Sequence, residues 1–293
     1  KIQPTVLVIL GPTASGKSDL AVKIAKRVQG EVVSADSRQV YRGLDIGTGK
    51  ITLEEMQGVP HHLIDVCPPK KVFTVAEYQK MVLIKVQEIL ARGHVPIIAG
   101  GTGFYIDAVT RGVVLPEVPP SKALRKKLEK FSDEELFAHL LKIDKTRARA
   151  IKRKNELKNR VRMIRAIEVA TTLGKVPKIK HKKPPYTFVY IGVAVKETTL
   201  RQKIARRVAR MFEAGLLDEI EKLKHQGVSK KRLQEFGFEY NEPTPESVIE
   251  ASYQYVKRQM TWFRRHPDIT WLSPSQVVAF AKSKLREANK TLG

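Results

Sequence analysis

The sequence predicts a doubly wound α/β fold, because strand-like and helix-like segments alternate through its N-terminal third. Val6–Leu10 and Val95–Ala99 are continuous apolar runs that each stop at glycine, as buried parallel strands do. Between them lie an amphipathic stretch from Lys17 to Val28, a short strand candidate at Glu31–Ser34 and a helical pattern from Val75 to Ala91. This order is typical of a parallel sheet covered by helices on both faces.

Further strands are expected from the C-terminal half of the chain. Thr187–Val195 and Ile269–Leu272 are the candidates. Helical patterns run from Leu200 to Leu223 and from Pro245 to Arg265, and the aromatic-rich apolar stripe of the second is expected to face the core. The sheet is therefore predicted to be assembled from both ends of the chain.

A basic helical segment interrupts the α/β pattern. Proline clusters mark its edges, and we place it at residues 118–186, between core segments at residues 1–117 and 187–293. Residues 121–183 hold 21 Lys and Arg against 7 Asp and Glu, so more than half of the chain's net charge of +24 lies in this insertion.

One predicted helix of the insertion, from residue 157 to residue 170, has two chemically distinct faces. The apolar set is Leu157, Val161 and Ile164, and the basic set at the same spacing one position later is Lys158, Arg162 and Arg165. Side chains three and four apart share a helix face. The pattern predicts a helix that packs on its own subdomain and offers cations to phosphates; a solvated basic face is the alternative.

Composition limits the possible environments and partners. The basic excess favours a polyanionic partner, of which nucleic acid is the commonest, against the alternative of a merely basic soluble surface. No apolar run approaches the roughly 20 residues that span a bilayer, so we expect no membrane partner. A single cysteine, Cys67, excludes an intrachain disulfide and is typical of a reducing, cytoplasmic compartment. We also expect a monomer, since no long exposed apolar stripe is evident.

A phosphate-binding loop is predicted between the first strand and the first helix. Its residues, which match G-x-x-x-x-G-K-[ST] in the expected context, are Gly11, Pro12, Thr13, Ala14, Ser15, Gly16, Lys17 and Ser18. The glycines allow successive N–H groups to face one anion, Lys17 adds a positive charge, and the Ser18 hydroxyl is a candidate ligand of Mg²⁺. The predicted architecture is a P-loop doubly wound parallel sheet with an inserted all-helical subdomain.

The loop recognises phosphates and not the group attached to them, so ATP is the default ligand. A hydrolytic NTPase usually carries an acidic residue at the end of a later apolar strand. Here Val95–Ala99 runs instead into two glycines and Thr102, and the nearest carboxylate in a corresponding position is Asp36, after the second strand. Because parallel strands end at one crevice, Asp36, Thr102 and the P-loop are expected to converge.

Several longer motifs then occur in order along nearly the whole chain. They are GPTASGKS from Gly11, SADSRQVYRGLDIGTGK from Ser34, HHLIDV from His61, AGGTGFYI from Ala99, RAIEV from Arg165 and VKRQMTWFRR from Val256. With these motifs the sequence resembles the tRNA dimethylallyltransferase family, also called tRNA isopentenyltransferases. It lacks the Cys/His zinc-finger tail of some eukaryotic members, which favours the bacterial type.

The resemblance implies a reaction. Family members transfer a dimethylallyl group from dimethylallyl diphosphate to N6 of adenosine 37 in tRNA and release diphosphate. The catalytic residues implied here are Asp36, as acceptor of the N6 proton, Thr102 at the reacting centre, and Lys17, which with Mg²⁺ on Ser18 neutralises the leaving diphosphate. Arg207 is implied as a further diphosphate contact; an ordinary exposed helix charge is the alternative.

The resemblance also implies contacts to the tRNA anticodon stem-loop. Around the extruded base they are Asp36, Ser37, Arg38, Gln39 and Thr102, and in the insertion they are Arg125, Val161, Arg162, Met163, Ile164 and Arg165. These positions agree with the concentration of positive charge in the insertion.

Two segments depart from the family's pattern. Lys158–Arg162 stands where an Asn-Asp pair followed by two arginines is expected, which affects the implied contact at Val161. Phe236–Tyr240 replaces the commoner Gly-Tyr-Lys form, and the sequence assigns it no role. His61 and His62 look like paired metal ligands, but the family offers no such function and we expect them to pack.

Two other functions fit part of the pattern. A P-loop kinase of a nucleoside or small metabolite would use GPTASGKS and Asp36, but leaves the basic insertion and KRQMTWFRR unexplained. An RNA-binding protein with a vestigial P-loop would explain the charge, but leaves the set of Lys17, Ser18, Asp36 and Thr102 without a use. A preference for ATP would indicate the kinase, and any turnover would exclude the simple binding protein.

Overall fold

The computed structural model describes residues 3–290, which form two compact units. The first, called here the α/β unit, comprises residues 3–112 and 183–290, and the second, the inserted unit, comprises residues 113–182. The inserted unit thus begins and ends a few residues before the 118 and 186 expected from the proline clusters. The chain already turns at Gly112, whose φ is 56°, before it reaches those prolines.

The elements of residues 3–290 alternate as the sequence pattern indicates. The strands are β1 (Thr5–Leu10), β2 (Gly30–Ser34), β3 (His61–His62), β4 (Val95–Gly100), β5 (Val113–Val114), β6 (Lys180–His181), β7 (Thr187–Val193) and β8 (Thr270–Leu272). The α-helices are α1 (Lys17–Val28), α2 (Leu53–Met56), α3 (Val75–Ala91), α4 (Gly103–Thr110), α5 (Lys122–Leu128), α6 (Asp133–Ile143), α7 (Lys145–Arg153), α8 (Arg160–Leu173), α9 (Glu197–Glu213), α10 (Leu216–His225), α11 (Lys230–Phe236), α12 (Pro245–Phe263) and α13 (Pro274–Lys290).

One parallel sheet of six strands runs through the α/β unit, in the order β3-β2-β4-β1-β7-β8. The two central strands are β4 and β1, and Leu7 of β1 lies opposite Ile97 of β4 on one side and Val189 of β7 on the other. Because β7 and β8 follow the insertion in the chain, the predicted assembly of the sheet from both ends is confirmed.

Helices cover both faces of this sheet. Val6, Val8 and Leu10 of β1 pack against α3 and α4, whereas Leu7 and Ile9 face α1 and α13. Successive side chains of a strand point to opposite faces, so an uninterrupted apolar strand requires a helical layer on each side. The predicted doubly wound fold is confirmed, and it brings the carboxyl ends of β1, β2 and β4 to one edge.

The helices α1 and α3 have the limits expected from the sequence, but the pattern from Leu200 to Leu223 does not form one helix. It is divided into α9 and α10 at Gly215, whose φ of 93° places it in the left-handed region. A left-handed residue cannot continue a right-handed helix, and glycine adopts this conformation at little cost.

The histidine pair forms the short edge strand β3, and His62 contacts a buried carboxylate. The Nε2 atom of His62 lies 2.6 Å from Oε2 of Glu31, a residue of β2 that is 3% exposed. Arg92 donates two hydrogen bonds to the same carboxylate, at 2.9 and 2.8 Å, and His94 Nδ1 lies 2.7 Å from it. Chiefly through the Arg92 bonds, these partners lower the pKa of Glu31 to about 2. His62 therefore has a structural partner within the sheet.

The inserted unit packs helices α5 to α8 around its own apolar core. Leu136 and Leu140 of α6 and Met163 and Ile167 of α8 are fully buried there. The unit is helical apart from one short antiparallel pair, β5 with β6, in which Val113 lies opposite His181. The sequence pattern did not predict this pair, because two-residue strands carry no detectable alternation.

The predicted apolar stripe of α8 was wrong at Val161, which is 77% exposed. The helix begins only at Arg160, and the side chain of Asn159 caps it by accepting a hydrogen bond of 3.1 Å from the Arg162 N–H. Leu157 therefore lies outside the helix, and the buried face is formed by Met163, Ile167 and their neighbours.

For the chain from residue 3 to residue 290, no helix is both long enough and apolar enough to cross a membrane.

Candidate active site

The P-loop connects β1 to α1 through a backbone that curls around an open helix terminus. Ala14 and Gly16 have φ angles of 60° and 87°, and Gly16 caps α1 without any side-chain hydrogen bond. The first N–H groups of a helix have no intrahelical acceptor, so this end can accept an anion. The hydroxyl of Ser15 is buried in the loop without a partner among residues 3–290, whereas Ser18 is exposed.

Lys17 is the cation of this loop, and its ammonium is withdrawn from water. Its Nζ donates a hydrogen bond of 3.3 Å to the carbonyl of Pro12. Burial lowers the pKa of Lys17 to about 8; the negative charge of Asp36 opposes this shift, and the positive charge of Arg207 adds to it. The three predicted residues therefore lie close enough to interact electrostatically.

Asp36 follows β2, and a turn of its own segment orients its carboxylate. Its Oδ1 accepts hydrogen bonds from the N–H groups of Arg38 at 2.8 Å and Gln39 at 3.3 Å. Its Oδ2 accepts no hydrogen bond from any residue that the structure describes. One carboxylate oxygen is thus fixed by the backbone, and the other can accept a proton.

Thr102 joins the end of β4 to the segment that carries Asp36. Its Oγ1 accepts a hydrogen bond of 3.0 Å from the Ser37 N–H and lies 3.3 Å from the Ser37 hydroxyl. The strand ends also approach closely at Gly100, where an added Cβ would lie 2.2 Å from the carbonyl oxygen of Ala35. Only glycine fits there, so Gly100 at the end of β4 permits the predicted convergence of Thr102 with Asp36.

Arg38 is held rigidly beside this carboxylate. Its guanidinium forms an ion pair of 2.5 Å with Glu239 and lies 5.1 and 5.3 Å from the ring centroids of Phe238 and Tyr255. Burial opposes its charge, but the neighbouring carboxylate keeps the pKa of Arg38 above its ordinary value. An added Cβ at Gly237 would lie 2.6 Å from this guanidinium. The Phe236–Tyr240 segment, to which the sequence assigned no role, thus immobilises Arg38.

Arg207 of α9 is partly buried and turned toward the loop that precedes α2. Its Nη2 donates a hydrogen bond of 2.9 Å to the carbonyl of Thr48, and Gly49 passes directly against its guanidinium. Burial lowers the pKa of Arg207, while Glu239 and Asp36 favour its charged form. The structure therefore excludes the alternative of an ordinary exposed helix charge.

Glu219 supports the same loop from α10. Its carboxylate accepts hydrogen bonds from the N–H groups of Asp45, Ile46 and Gly47 at 2.9, 2.7 and 3.1 Å. The hydroxyl of Tyr240 donates to it as well, at 2.8 Å, and burial raises the pKa of Tyr240. Tyr240 and Glu219 thereby fix the segment that contacts Arg207.

Gln259 is a site residue that the sequence interpretation missed. It is 6% exposed on α12, where its Oε1 accepts a hydrogen bond of 2.9 Å from the Thr13 N–H and its Nε2 donates one of 2.9 Å to the Gly101 carbonyl. One side chain thus joins the P-loop to the end of β4. Its position inside the specific KRQMTWFRR block was the only sequence signal for this role.

Most RNA-contact candidates of the inserted unit are paired or buried. Arg125 donates hydrogen bonds of 2.7 and 2.8 Å to Glu168, and Arg165 donates a longer one of 3.4 Å to the same carboxylate. Arg162 is paired with Glu156. The side chains of Met163 and Ile164 are buried in the core of the unit, and the implied RNA contact at these two residues stays a prediction.

Comparisons with known proteins identify the family. A family model described as IPP transferase matches residues 39–266. The tRNA dimethylallyltransferase of Halalkalibacterium halodurans is 39% identical over 292 residues, covering 93% of this chain and 92% of that protein.

Two solved structures share the fold. The crystal structure of the full-length tRNA isopentenylpyrophosphate transferase from Bacillus halodurans has a TM-score of 0.71 at 36% identity and covers 99% of each chain. A eukaryotic dimethylallyltransferase captured acting on tRNA has a TM-score of 0.76 at 26% identity, covering 92% of this chain and 74% of that one. The convergence of P-loop, Asp36 and Thr102, together with this similarity over nearly the whole length, shows that the chain belongs to the tRNA dimethylallyltransferase (IPP transferase) family.

Proposed function

We propose that this chain transfers a dimethylallyl group from dimethylallyl diphosphate to N6 of adenosine 37 in the anticodon loop of tRNA. The observation that carries this proposal is the open carboxylate oxygen of Asp36 at the same crevice as a buried P-loop lysine. Support for tRNA as the acceptor comes from the names of the relatives. Nothing in the structure or among the relatives favours the kinase alternative.

In the proposed reaction N6 of adenine attacks C1 of the dimethylallyl group. The C1–O bond breaks, and its electron pair leaves with the diphosphate. The N6 proton goes to Oδ2 of Asp36, whose Oδ1 remains bound to two N–H groups. A positioned carboxylate of this kind typically contributes a factor of about 10² to 10⁴ as a general base.

Binding of the leaving group falls to the P-loop. Its backbone N–H groups and Lys17 would hold the diphosphate, and Arg207 adds positive charge nearby. The negative charge of a bound diphosphate would favour the protonated form of Lys17 and so oppose the lowering of its pKa by burial. Gln259 keeps the loop in register with the end of β4, where Thr102 lies.

The residues present fit a Mg²⁺ ion held mainly by its substrate. Mg²⁺ bound with phosphates commonly takes few protein ligands and keeps several waters. The exposed Ser18 hydroxyl in the first turn of α1 is a suitable single ligand, beside the oxygens of the diphosphate. There the ion would neutralise charge on the diphosphate.

The adenine must leave the loop of the RNA to reach Asp36. Extruding an unpaired nucleotide costs less than breaking a base pair. Ser37, Gln39 and the immobilised Arg38 lie directly beside the carboxylate and would contact the extruded base and its neighbours. Because Arg38 is already fixed by Glu239 and two rings, little side-chain entropy is lost when RNA binds. We expect the chain to act as a monomer.

Transfer of radiolabelled dimethylallyl groups tests this function. The donor is dimethylallyl diphosphate with Mg²⁺, the acceptor is unmodified tRNA with A36 and A37, and the control is the same tRNA with A37 replaced by G. Label in the first RNA and none in the second is the expected result. Absence of label in both, together with ATP turnover on a small acceptor, would refute the proposal.

A further inference from the structure

Helix α7 of the inserted unit has five Lys and Arg residues among its nine, and four of these five cations are exposed to solvent. Lys145, Arg149, Lys152 and Arg153 are exposed, whereas Ala148 and Ile151 pack into the core. Residues three and four apart share a helix face, so the four exposed cations form one continuous surface, called here the α7 face. Thr146, Arg149, Lys152 and Arg153 line a shallow groove on it.

The cations of the α7 face differ from those of α8 in having no carboxylate partners. On and around α8, Arg162 is paired with Glu156, Arg165 with Glu168, and Arg160 with Asp133 at 2.7 Å. For the four residues of the α7 face the structure gives no ion pair to any residue between 3 and 290. Of these two helices, α7 therefore carries the positive charge that is unpaired within the described chain, whereas the arginines of α8 are paired.

The acidic residues nearest to α7 in the chain are already occupied. Asp144 is 8% exposed; its Oδ1 caps α7 by accepting a 2.8 Å hydrogen bond from the Arg147 N–H, and its Oδ2 accepts one of 2.8 Å from the Val176 N–H. Glu156 is bound to Arg162. Neither carboxylate is free to neutralise the α7 face.

This arrangement weakens the helix. Like charges three or four residues apart destabilise a helix by about 0.2 to 0.5 kcal/mol per pair. Lys145 also lies at the N-terminus of α7, where a positive charge opposes the helix dipole. In contrast, α6 begins with Asp133, Glu134 and Glu135, as the dipole favours. The stability of the helix therefore does not explain why α7 carries these positive charges, whereas binding of a polyanionic ligand would explain them.

We propose that the α7 face binds the phosphodiester backbone of the RNA substrate, and that it provides more of the electrostatic affinity than the paired arginines of α8. This inference rests on the proposed function for the identity of the RNA. The chemistry of the face favours RNA over other anionic partners. Protein interfaces and membrane-binding helices combine charge with exposed apolar or aromatic residues, whereas the α7 face offers only Lys, Arg and Thr.

Salt dependence of RNA binding tests the inference, because each lost phosphate contact lowers the slope of log Kd against log salt by about 1. Three variants of the whole chain are compared with wild type, using an anticodon stem-loop RNA and fluorescence anisotropy. The α7 variant is Arg149→Gln, Lys152→Gln and Arg153→Gln. The α8 variant is Arg162→Gln and Arg165→Gln. The matched control removes three exposed cations of the α/β unit by Lys23→Gln, Lys282→Gln and Arg286→Gln.

The α7 variant should lose about 2 to 3 from the slope, and its kcat for dimethylallyl transfer at saturating RNA should stay within about twofold of wild type. The α8 variant should lose less per charge removed, and the control should keep the wild-type slope. An unchanged slope in the α7 variant, or an equal loss in the control, would overturn the proposal. The proposal would also be overturned if the α7 variant lost binding to polyglutamate or to phosphatidylserine vesicles while its binding to RNA stayed intact. If wild type transfers no label, the proposed function fails, yet the slopes still decide whether α7 binds RNA.

Discussion

Charged side chains are held by fixed partners at the crevice of the α/β unit, whereas those on the α7 face of the inserted unit have no ion-pair partner in the described part of the chain. At the crevice each charged side chain has fixed partners: Asp36 is bound by two N–H groups, Arg38 by Glu239, and Arg207 by the Thr48 carbonyl. On the α7 face the lysines and arginines stand in water without carboxylates. Chemistry on a single atom requires groups held in place before the substrate arrives, whereas attraction of a polyanion requires only mobile positive charge.

The comparison separates two kinds of arginine that look alike in sequence. Arg38 and Arg149 both lie in basic or polar stretches of the sequence. Only Arg38 forms an ion pair with a carboxylate and packs against two aromatic rings. Substitutions at the crevice should therefore act mainly on turnover, and substitutions on α7 mainly on salt-dependent affinity.

The largest effect is expected from Asp36→Asn, which removes the proton acceptor while keeping the shape of the turn. We expect kcat for dimethylallyl transfer to fall by a factor of about 10² or more, with RNA affinity nearly unchanged. Single-turnover transfer and anisotropy measure the two quantities, and Asp218→Asn on the exposed start of α10 is the control. A fall in kcat of less than about tenfold, equivalent to 1.36 kcal/mol of barrier, would exclude Asp36 as the base.

A smaller loss is expected from Glu239→Gln, which leaves the Arg38 guanidinium partly buried without its carboxylate. The free energy of unfolding should fall by about 1 to 3 kcal/mol, and kcat by about tenfold, because Arg38 and Gln39 supply the N–H groups that orient Asp36. Denaturant unfolding and single-turnover transfer are the measurements. Glu242→Gln, in an exposed ion pair with Lys230, should change neither.

A double-mutant cycle distinguishes positioning from general destabilisation. If Glu239 acts through Arg38, then Glu239→Gln should cost little further activity once Arg38→Gln is present. Additive losses in kcat would mean that the two residues act independently.

In the inserted unit, Glu168→Gln should convert paired arginines into free ones. Glu168 is 1% exposed and binds Arg125, Arg165 and the Ser121 N–H. The free energy of unfolding should fall by about 1 to 3 kcal/mol, while the salt slope of RNA binding becomes steeper because Arg125 and Arg165 gain mobility. Glu134→Gln, which removes an exposed carboxylate of α6, is the matched control. A flatter slope would contradict the distinction between paired and free cations.

The smallest effect is a pH dependence of diphosphate binding. Burial lowers the pKa of Lys17 to about 8, and a negatively charged ligand favours its protonated form. The affinity for dimethylallyl diphosphate should therefore decline as pH rises through about 8, by at most tenfold per pH unit. Calorimetry in buffers of different ionisation enthalpy should detect proton uptake on binding. A Lys17→Met variant that kept the same pH dependence would assign it to another group.

Much of this molecule could be predicted from local sequence patterns. Periodicity placed α1 and α3 at their observed limits, and the P-loop motif specified the turn between β1 and α1. Glycine after β4 and a carboxylate after β2 were sufficient to predict that Thr102 and Asp36 converge, because parallel strands end at a common edge. Periodicity failed at Val161, where the cap at Asn159 shifted the start of α8 and changed its buried face.

The sequence by itself therefore determined the parallel sheet, the phosphate loop, the carboxylate at its crevice and the location of the excess positive charge. Only the tertiary structure decided how each charge is used. Gln259 binds Gly101, Glu239 binds Arg38 and Glu219 binds Ile46, each across 158 or more residues of chain, and no local pattern encodes such contacts. In the same way, Arg162 and Arg149 lie in equally basic sequence, but only packing placed a carboxylate beside the first and water beside the second.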